Sequence, residues 1–264
     1  MFSHLDMNAL ITFGCSWTKG KFCWYDPNIL SHTEMSDEEI KSTLRQQHFK
    51  DLTEEYCFRN ILSRRHNYVN INYAKGGSSN RRQFRTAEEY FNTDDYKKYN
   101  NVIVLWGITS TARMELWSNK EKKYTTYHLT KKQNLKWTMD HYDHDVVVKR
   151  LSTQIQHWDN YFKMIGVKNY WFDTFNHHNY TYDSPNMIMS HEKSRDLMSN
   201  LCIDMGHKPG MNGYHLSLWE PDDDRIKFLR KKNLVNPTTL HPNRECHIKI
   251  ADMLDKFVNF CYYK

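Results

Sequence analysis

The sequence predicts a single α/β domain over residues 1–264, with a mainly parallel sheet covered by helices on both faces. Three observations predict this class. The length of 264 residues suits one large domain. Short apolar segments alternate along the chain with segments whose apolar residues recur at helical spacing. Each of the first three apolar segments ends in a polar turn that contains glycine.

Four short segments are predicted as strands, at residues 8–13, 69–73, 102–106 and 169–175. The third is the clearest, because it is β-branched and stops at Gly107. Strands of this kind, buried on both faces, are typical of parallel sheets. We therefore expect about four or five strands in one sheet.

Four longer segments between the strands are predicted as helices, at residues 36–62, 82–91, 145–165 and 243–262. In the third, apolar side chains recur at helical spacing, and in the last, Asn243 is the expected N-cap. Strands alternating with helices give the parallel sheet its crossover connections.

The composition limits the classes of protein and partner. The formal net charge is +6 and the pI is about 8.8, which indicates a mildly basic, solvated surface and leaves an anionic partner open. The basic residues form only short clusters and no long tail, so nucleic-acid binding is the weakest of the functions considered and rests on the basic surface alone. The longest apolar run spans about five residues, far too few for a membrane helix, and the first residues show no secretory signal pattern.

The six cysteines include no C-x-x-C pair, which argues against a zinc ribbon and a disulfide framework. We expect six free thiols and a cytoplasmic location.

The three polar turns are GCSWTKG at 14–20, AKGGSSNRR at 74–82 and GITSTAR at 107–113. In open parallel sheets, ligands bind beyond the carboxyl ends of the strands. The turns are therefore predicted to converge on one functional site at one edge of the sheet.

These turns, together with a later His-Pro-Asn sequence, resemble the signature blocks of SGNH (GDSL-type) hydrolases in the order found in that family. Ser16 falls at the position of the nucleophile, Gly77 at that of the second block's glycine, and His241 at that of the base. The third block has Thr109 and Ser110 where the family has Asn, and the last has Thr238 in place of Asp. The resemblance extends from about residue 11 to 254 and is greatest to a divergent branch carried by tailed bacteriophages.

The resemblance implies a three-layer, flavodoxin-like fold and hydrolysis of an acyl ester without a cofactor. Ser16 would attack the ester and His241 would take its proton, while the amides of Ser16 and Gly77 hold the oxyanion. The side chains of Thr109, Ser110 and Asn80 are rival further donors. An esterase or deacetylase would act on a small acyl ester or an acylated glycan, for which four tryptophans offer stacking faces: Trp17, Trp24, Trp106 and Trp117.

Other interpretations of the same residues stay open. The missing Asp and Asn favour a non-catalytic protein on the same scaffold, such as a phage structural or host-interaction protein. Ser16 and His241 are also ordinary capping residues, and Cys15 is either a nucleophile or a small buried residue. The histidine-rich segments 141–145 and 176–179 lack a recognised ligand spacing, so no metal site is expected. With an ordinary histidine pKa near about 6.5, weak esterase activity is expected to rise from about pH 6 to pH 8.

Overall fold

A computed structural model of the chain describes residues 7–21, 23, 42, 47–129, 131, 134–188, 196–207, 223–236 and 239–260. Its strands are β1 (Asn8–Phe13), β2 (Tyr68–Asn72), β3 (Asn101–Ile108), β4 (Arg113–Ser118), β5 (Lys123–His128) and β6 (Lys168–Asp173). Its helices are α1 (Ser16–Lys19), α2 (Gln47–Tyr56), α3 (Phe58–His66), α4 (Asn80–Phe91), α5 (Leu135–His141), α6 (His144–Ile165), α7 (Leu197–Asp204), α8 (Asp224–Lys231) and α9 (Arg244–Asp255).

The main sheet has four strands in the order β2-β1-β3-β6, and all of its neighbouring strands are parallel. The four strands predicted from the sequence are therefore confirmed, with ends that shift by one or two residues. Beyond β6, two isolated parallel bridges join Trp171 to Met187 and Asp173 to Asp196. The result is a mixed α/β protein with a mainly parallel sheet.

Alternating residues of the central strand β3 enter two separate apolar cores. Ile103 and Leu105 pack with helices α3, α7, α8 and α9. Val104 and Trp106 enter the other core, with helices α4 and α6. Because successive side chains of a strand point to opposite faces, helices cover both faces of this sheet.

An aromatic stack crosses three neighbouring strands on one face. The strand register pairs Phe13 with Trp106, and Trp106 with Trp171. Their rings stack at centroid distances of 4.5 Å and 4.7 Å. Trp106 is completely buried in this stack, so it offers no face to a sugar.

Local capping chemistry sets most helix ends. The Ser79 hydroxyl accepts a hydrogen bond from the Arg82 amide at 3.2 Å, so α4 begins at Asn80, two residues before the predicted start. Asn243 is the N-cap of α9, as predicted, and accepts from the Cys246 amide at 3.0 Å. Helix α9 ends at Asp255, earlier than the predicted residue 262.

The single helix predicted at 36–62 is wrong in its described part. Cys57 has an extended backbone that separates α2 from α3. A Cβ added at Gly20 would lie 2.4 Å from the Cys57 Cβ, so the two segments pack closely at this break. No proline or glycine marks the break, which tertiary packing imposes. Residues 36–41 and 43–46 lie outside the described residues.

Strands β4 and β5 form an antiparallel hairpin that the sequence analysis did not predict. The hairpin packs against α4 through a bidentate ion pair, in which Arg85 donates to both oxygens of the buried Glu115 carboxylate at 3.0 Å. The hairpin matters for function because its first residue, Arg113, reaches the candidate site.

None of the helices described here has a long enough apolar stretch to cross a lipid bilayer.

Within the described residues, five cysteines are free thiols: Cys15, Cys23, Cys57, Cys202 and Cys246. The sixth, Cys261, lies outside them.

Candidate active site

Ser16 lies at the carboxyl end of β1, at the first position of the four-residue helix α1. Two glycines let this helix cross the ends of β1 and β3. A Cβ added at Gly14 or Gly107 would lie 2.1 Å or 2.3 Å from the Thr18 hydroxyl, and a real Cβ never approaches another atom so closely. Gly20 ends the helix at a φ of 82°, a left-handed conformation that favours glycine. The turn therefore presents Ser16 at the edge of the sheet.

The turn after β2 lies directly beside Ser16. A Cβ added at Gly76 would be 3.8 Å from the Ser16 Cβ. Gly77 has a φ of 72°, which a side chain would strain. Within the described residues, neither the Ser16 amide nor the Gly77 amide donates a hydrogen bond. Two backbone amides without a hydrogen bond among the described residues thus belong to neighbouring turns.

His241 is held by the backbone of its own loop. Its Nδ1 lies 2.8 Å from the Thr239 carbonyl oxygen, which only accepts, so Nδ1 carries the proton and Nε2 the lone pair. The Asn236 side chain in turn accepts from the Thr239 amide at 2.8 Å. A carbonyl therefore orients the imidazole, at a position where SGNH hydrolases have a carboxylate. Residue 238, the position of the missing Asp, lies outside the described residues.

Ser16, Gly77 and His241 line one cavity of about 630 Å³ at the carboxyl edge of the sheet. A cavity of this size accommodates a small-molecule ligand. Its remaining lining residues are Lys19, Lys21, Lys50, Thr53, Glu54, Lys75, Gly76 and Arg113. The described residues show no hydrogen bond between the Ser16 hydroxyl and the His241 ring. Catalytic hydrogen bonds are often long without substrate and tighten when it binds.

Burial, together with the nearby charges of Lys21 and Arg113, lowers the pKa of His241 to about 3, against the hydrogen bond to the Thr239 carbonyl, which raises it. The ring is therefore neutral throughout the neutral pH range. The expectation that activity rises between about pH 6 and pH 8 assumed an ordinary histidine pKa, and the lowered pKa of His241 predicts a flat profile over that range instead.

Three other residues named from the sequence are buried beside the cavity and do not line it. The side-chain amide of Asn80 pairs with the backbone of Thr109. Its Nδ2 donates to the Thr109 carbonyl oxygen and its Oδ1 accepts from the Thr109 backbone N–H, both at 2.8 Å. The Ser110 hydroxyl accepts from the Ala112 amide at 3.1 Å. The structure thus places Asn80, Thr109 and Ser110 in the support of the turn after β3.

Arg113 is the site residue that the sequence analysis missed. Arg113 is buried, with 7% of its surface exposed. One guanidinium nitrogen donates to the Thr109 hydroxyl at 3.2 Å and to the Ser78 carbonyl oxygen at 3.4 Å. Arg113 ends the GITSTAR turn, so its position after a buried strand was the available signal.

Cys15 is completely buried in the apolar core and does not line the cavity, and its thiol interacts with the guanidinium of Arg113. Of the tryptophans considered for sugar stacking, Trp17 is also fully buried, whereas Trp117 is 51% exposed on the hairpin. Trp24 lies outside the described residues.

The two histidine-rich segments meet beyond β6, and none of their histidines lines the Ser16 cavity. The rings of His144 and His178 are 6.3 Å apart, and Asp173 accepts a hydrogen bond from the His178 amide at 3.1 Å. In the part of the chain that the structure describes, no three His, Cys, Asp or Glu side chains are arranged to hold a metal ion.

Comparison of the chain with protein-family models finds no match, and comparison with curated proteins finds none. The resemblance to SGNH hydrolases thus rests on the motifs described above.

Proposed function

We propose that this protein is an SGNH-type hydrolase, an esterase or deacetylase that removes an O-acyl group through Ser16 and His241. The observation that carries the proposal is that Ser16, Gly77 and His241, distant in sequence, line one cavity at the carboxyl edge of a parallel sheet. The strand order and the two helical layers support the three-layer, flavodoxin-like fold that this proposal includes.

The proposed reaction proceeds in two steps. The Ser16 hydroxyl attacks the ester carbonyl and gives its proton to Nε2 of His241, which then protonates the leaving alcohol. The amides of Ser16 and Gly77 donate to the oxyanion that forms during attack. Water, deprotonated by the same Nε2, releases the acid from the acyl-serine and restores the enzyme.

With the Thr239 carbonyl in place of a carboxylate, this site stabilises the imidazolium less well than a full triad does. It fixes the tautomer and orientation of His241 but supplies no negative charge to the imidazolium. Loss of the carboxylate's contribution costs up to about four powers of ten in rate. We therefore expect slow turnover.

An exposed aromatic pair favours a glycan as the carrier of the acyl group. Lys75, Gly76 and Gly77 also line a second cavity of about 310 Å³ under the hairpin, which Tyr124 helps to form. Tyr124 makes an edge contact with Trp117, at a ring distance of 5.2 Å, and both are substantially exposed. The Arg85 guanidinium covers one face of Tyr124 at 4.5 Å, so we propose that a sugar ring stacks on Trp117 or on the other face of Tyr124.

Turnover of activated acetyl esters tests this function. Ser16→Ala and His241→Ala should each abolish activity, and the double variant should be no worse, because the two residues act as a unit. Ser118→Ala, at the end of β4, and His157→Ala, on the exposed side of α6, are matched controls that should retain it. Activity that survives Ser16→Ala would contradict the proposal.

The second candidate is a non-catalytic phage structural or host-interaction protein on the same scaffold. It is favoured by Thr238 at the position of the family's Asp and by the absence of Asn and Gln from the described lining of the cavity. Absence of any Ser16-dependent turnover would favour this candidate. For either function we propose a cytoplasmic location, which the five free and buried thiols support.

A further inference from the structure

The Ser16 cavity carries a large excess of positive charge. Five basic side chains line it: Lys19, Lys21, Lys50, Lys75 and Arg113. The single acidic lining residue is Glu54, whose carboxylate forms an ion pair with the buried Arg59. Arg59 does not line the cavity, so the charge of Glu54 is balanced without any of the five basic lining residues.

Arg113 is the most informative member of this set, because it is buried. Its guanidinium donates to neutral oxygens of Thr109 and Ser78 and lies beside the Cys15 thiol, and no carboxylate among the described residues pairs with it. Burial lowers its pKa, which shows that its surroundings disfavour the charge. A buried cation without an anionic partner is costly, so an anion entering the cavity would relieve that cost.

The exposed lysines lie around Arg113 on three different segments. Lys19 belongs to α1, Lys50 to α2 and Lys75 to the turn after β2. None of these three ammonium groups forms an ion pair within the described part of the chain. Cations from separate segments around a low-dielectric cavity focus the field on its interior and attract anions.

We infer that this cavity binds an oxyanion, either a carboxylate or a phosphate, and that the preferred ester carries such a group. The guanidinium of Arg113 anchors the anion and the lysines attract it. The ester part of this inference rests on the proposed function, whereas the anion site does not. The anionic group lies on the part of the substrate that does not react.

A different role for Arg113 would be to donate directly to the oxyanion formed at the ester carbonyl. The two roles differ in substrate selectivity. An oxyanion donor acts equally on charged and neutral esters, whereas an anion anchor favours the charged ester.

A matched pair of activated esters separates these roles: 4-nitrophenyl acetate and 4-nitrophenyl hemisuccinate, which adds a carboxylate. The wild-type protein should prefer the hemisuccinate in kcat/KM, and Arg113→Met should reduce that preference by about ten- to a hundredfold, as expected for a charge-assisted hydrogen bond. Arg113→Lys should restore part of it. An unchanged ratio with both rates reduced would overturn the anchoring role.

Two further variants keep the test valid if Arg113→Met fails to fold. Lys50→Met and Lys75→Met change exposed side chains of the cavity and should each lower the preference for the hemisuccinate, more at low salt than at high salt. Lys163→Met, on the exposed face of α6, removes the same charge away from the cavity and should leave the preference unchanged. Equal effects of Lys163→Met and Lys50→Met would contradict a local anion site.

Direct binding tests the anion site without any turnover. Ser16→Ala protein titrated with succinate or with inorganic phosphate should show saturable binding by calorimetry, and Arg113→Met should weaken it at least about tenfold. The stronger of the two ligands identifies the class of anion. Binding without esterase activity would refute the proposed function and leave the anion site standing, whereas an active esterase that binds neither anion would refute this inference.

Discussion

Acid should destabilise the fold through two buried histidines. Burial lowers the pKa of His241 to about 3 and that of His247 to about 3, so the folded protein keeps both rings neutral. In the unfolded chain each ring titrates near about 6.5. Because the folded pKa is the lower one, the stabilisation is fully present above pH 6.5 and is lost as the pH falls towards 3.

The size of the effect follows from proton linkage. At pH 4 the unfolded chain binds about one more proton at each histidine, which costs about 1.36 kcal/mol per pH unit below 6.5. The expected loss at pH 4 is therefore about 3 kcal/mol for His241, with a similar contribution from His247.

Urea unfolding of the wild-type protein and of His241→Gln, at pH values from about 7 to 4, measures this effect. Gln retains an amide that can donate to the Thr239 carbonyl but has no proton to gain. Burial also raises the pKa of the Asp196 carboxyl, and this group is present in both proteins, so the difference between them isolates His241. Parallel losses of unfolding free energy in both proteins would refute the neutral, buried His241.

Three further predictions concern the same core and site. Trp106→Ala should lower the free energy of unfolding by about 3–5 kcal/mol, since the ring is fully buried in the aromatic stack; a loss under about 1 kcal/mol in denaturant unfolding would contradict that packing. Gly107→Ala should lower the free energy of unfolding by about 1–3 kcal/mol, because its Cβ would meet the Thr18 hydroxyl. Adding Thr18→Ala should recover much of that loss. Losses in the double variant that equal the sum of the single losses would argue against this clash. Ester turnover should be nearly constant between about pH 5 and pH 8, because His241 stays neutral with a pKa of about 3; a midpoint near 6.5 in kcat/KM would contradict this.

The parallel sheet was predictable because its strands carry a strong local signal. Residues 102–106 are continuously apolar, so both faces must be buried, and the structure buries them in two cores. The helix that follows Ser79 and the one that follows Asn243 begin at residues whose side chains accept from the backbone. In these segments the local chemistry and the tertiary packing favour the same structure.

The hairpin was not predictable in the same way. Its turn, residues 119–122, contains no glycine, and Lys122 adopts the left-handed conformation with a φ of 50°. What holds the hairpin is tertiary, namely the pair between Arg85 and the buried Glu115. Arg113 was missed for the same reason, because the fold of the hairpin is what brings it to the cavity.

The site was predictable only as far as its motifs. The sequence named Ser16, Gly77 and His241, which line one cavity. It did not show that the Thr239 carbonyl would hold the imidazole, since a backbone acceptor leaves no trace in residue identity. Nor did it show that Asn80 would be committed to the backbone of Thr109.

Covalent labelling of Ser16 tests the central claim most directly. The protein is incubated with a fluorophosphonate, and its intact mass and tryptic peptides are measured by mass spectrometry. We predict one adduct, on Ser16 within the peptide that ends at Lys19, absent in Ser16→Ala and strongly reduced in His241→Ala. No adduct on the wild-type protein, or equal labelling of the Ser16→Ala variant, would contradict a serine hydrolase site.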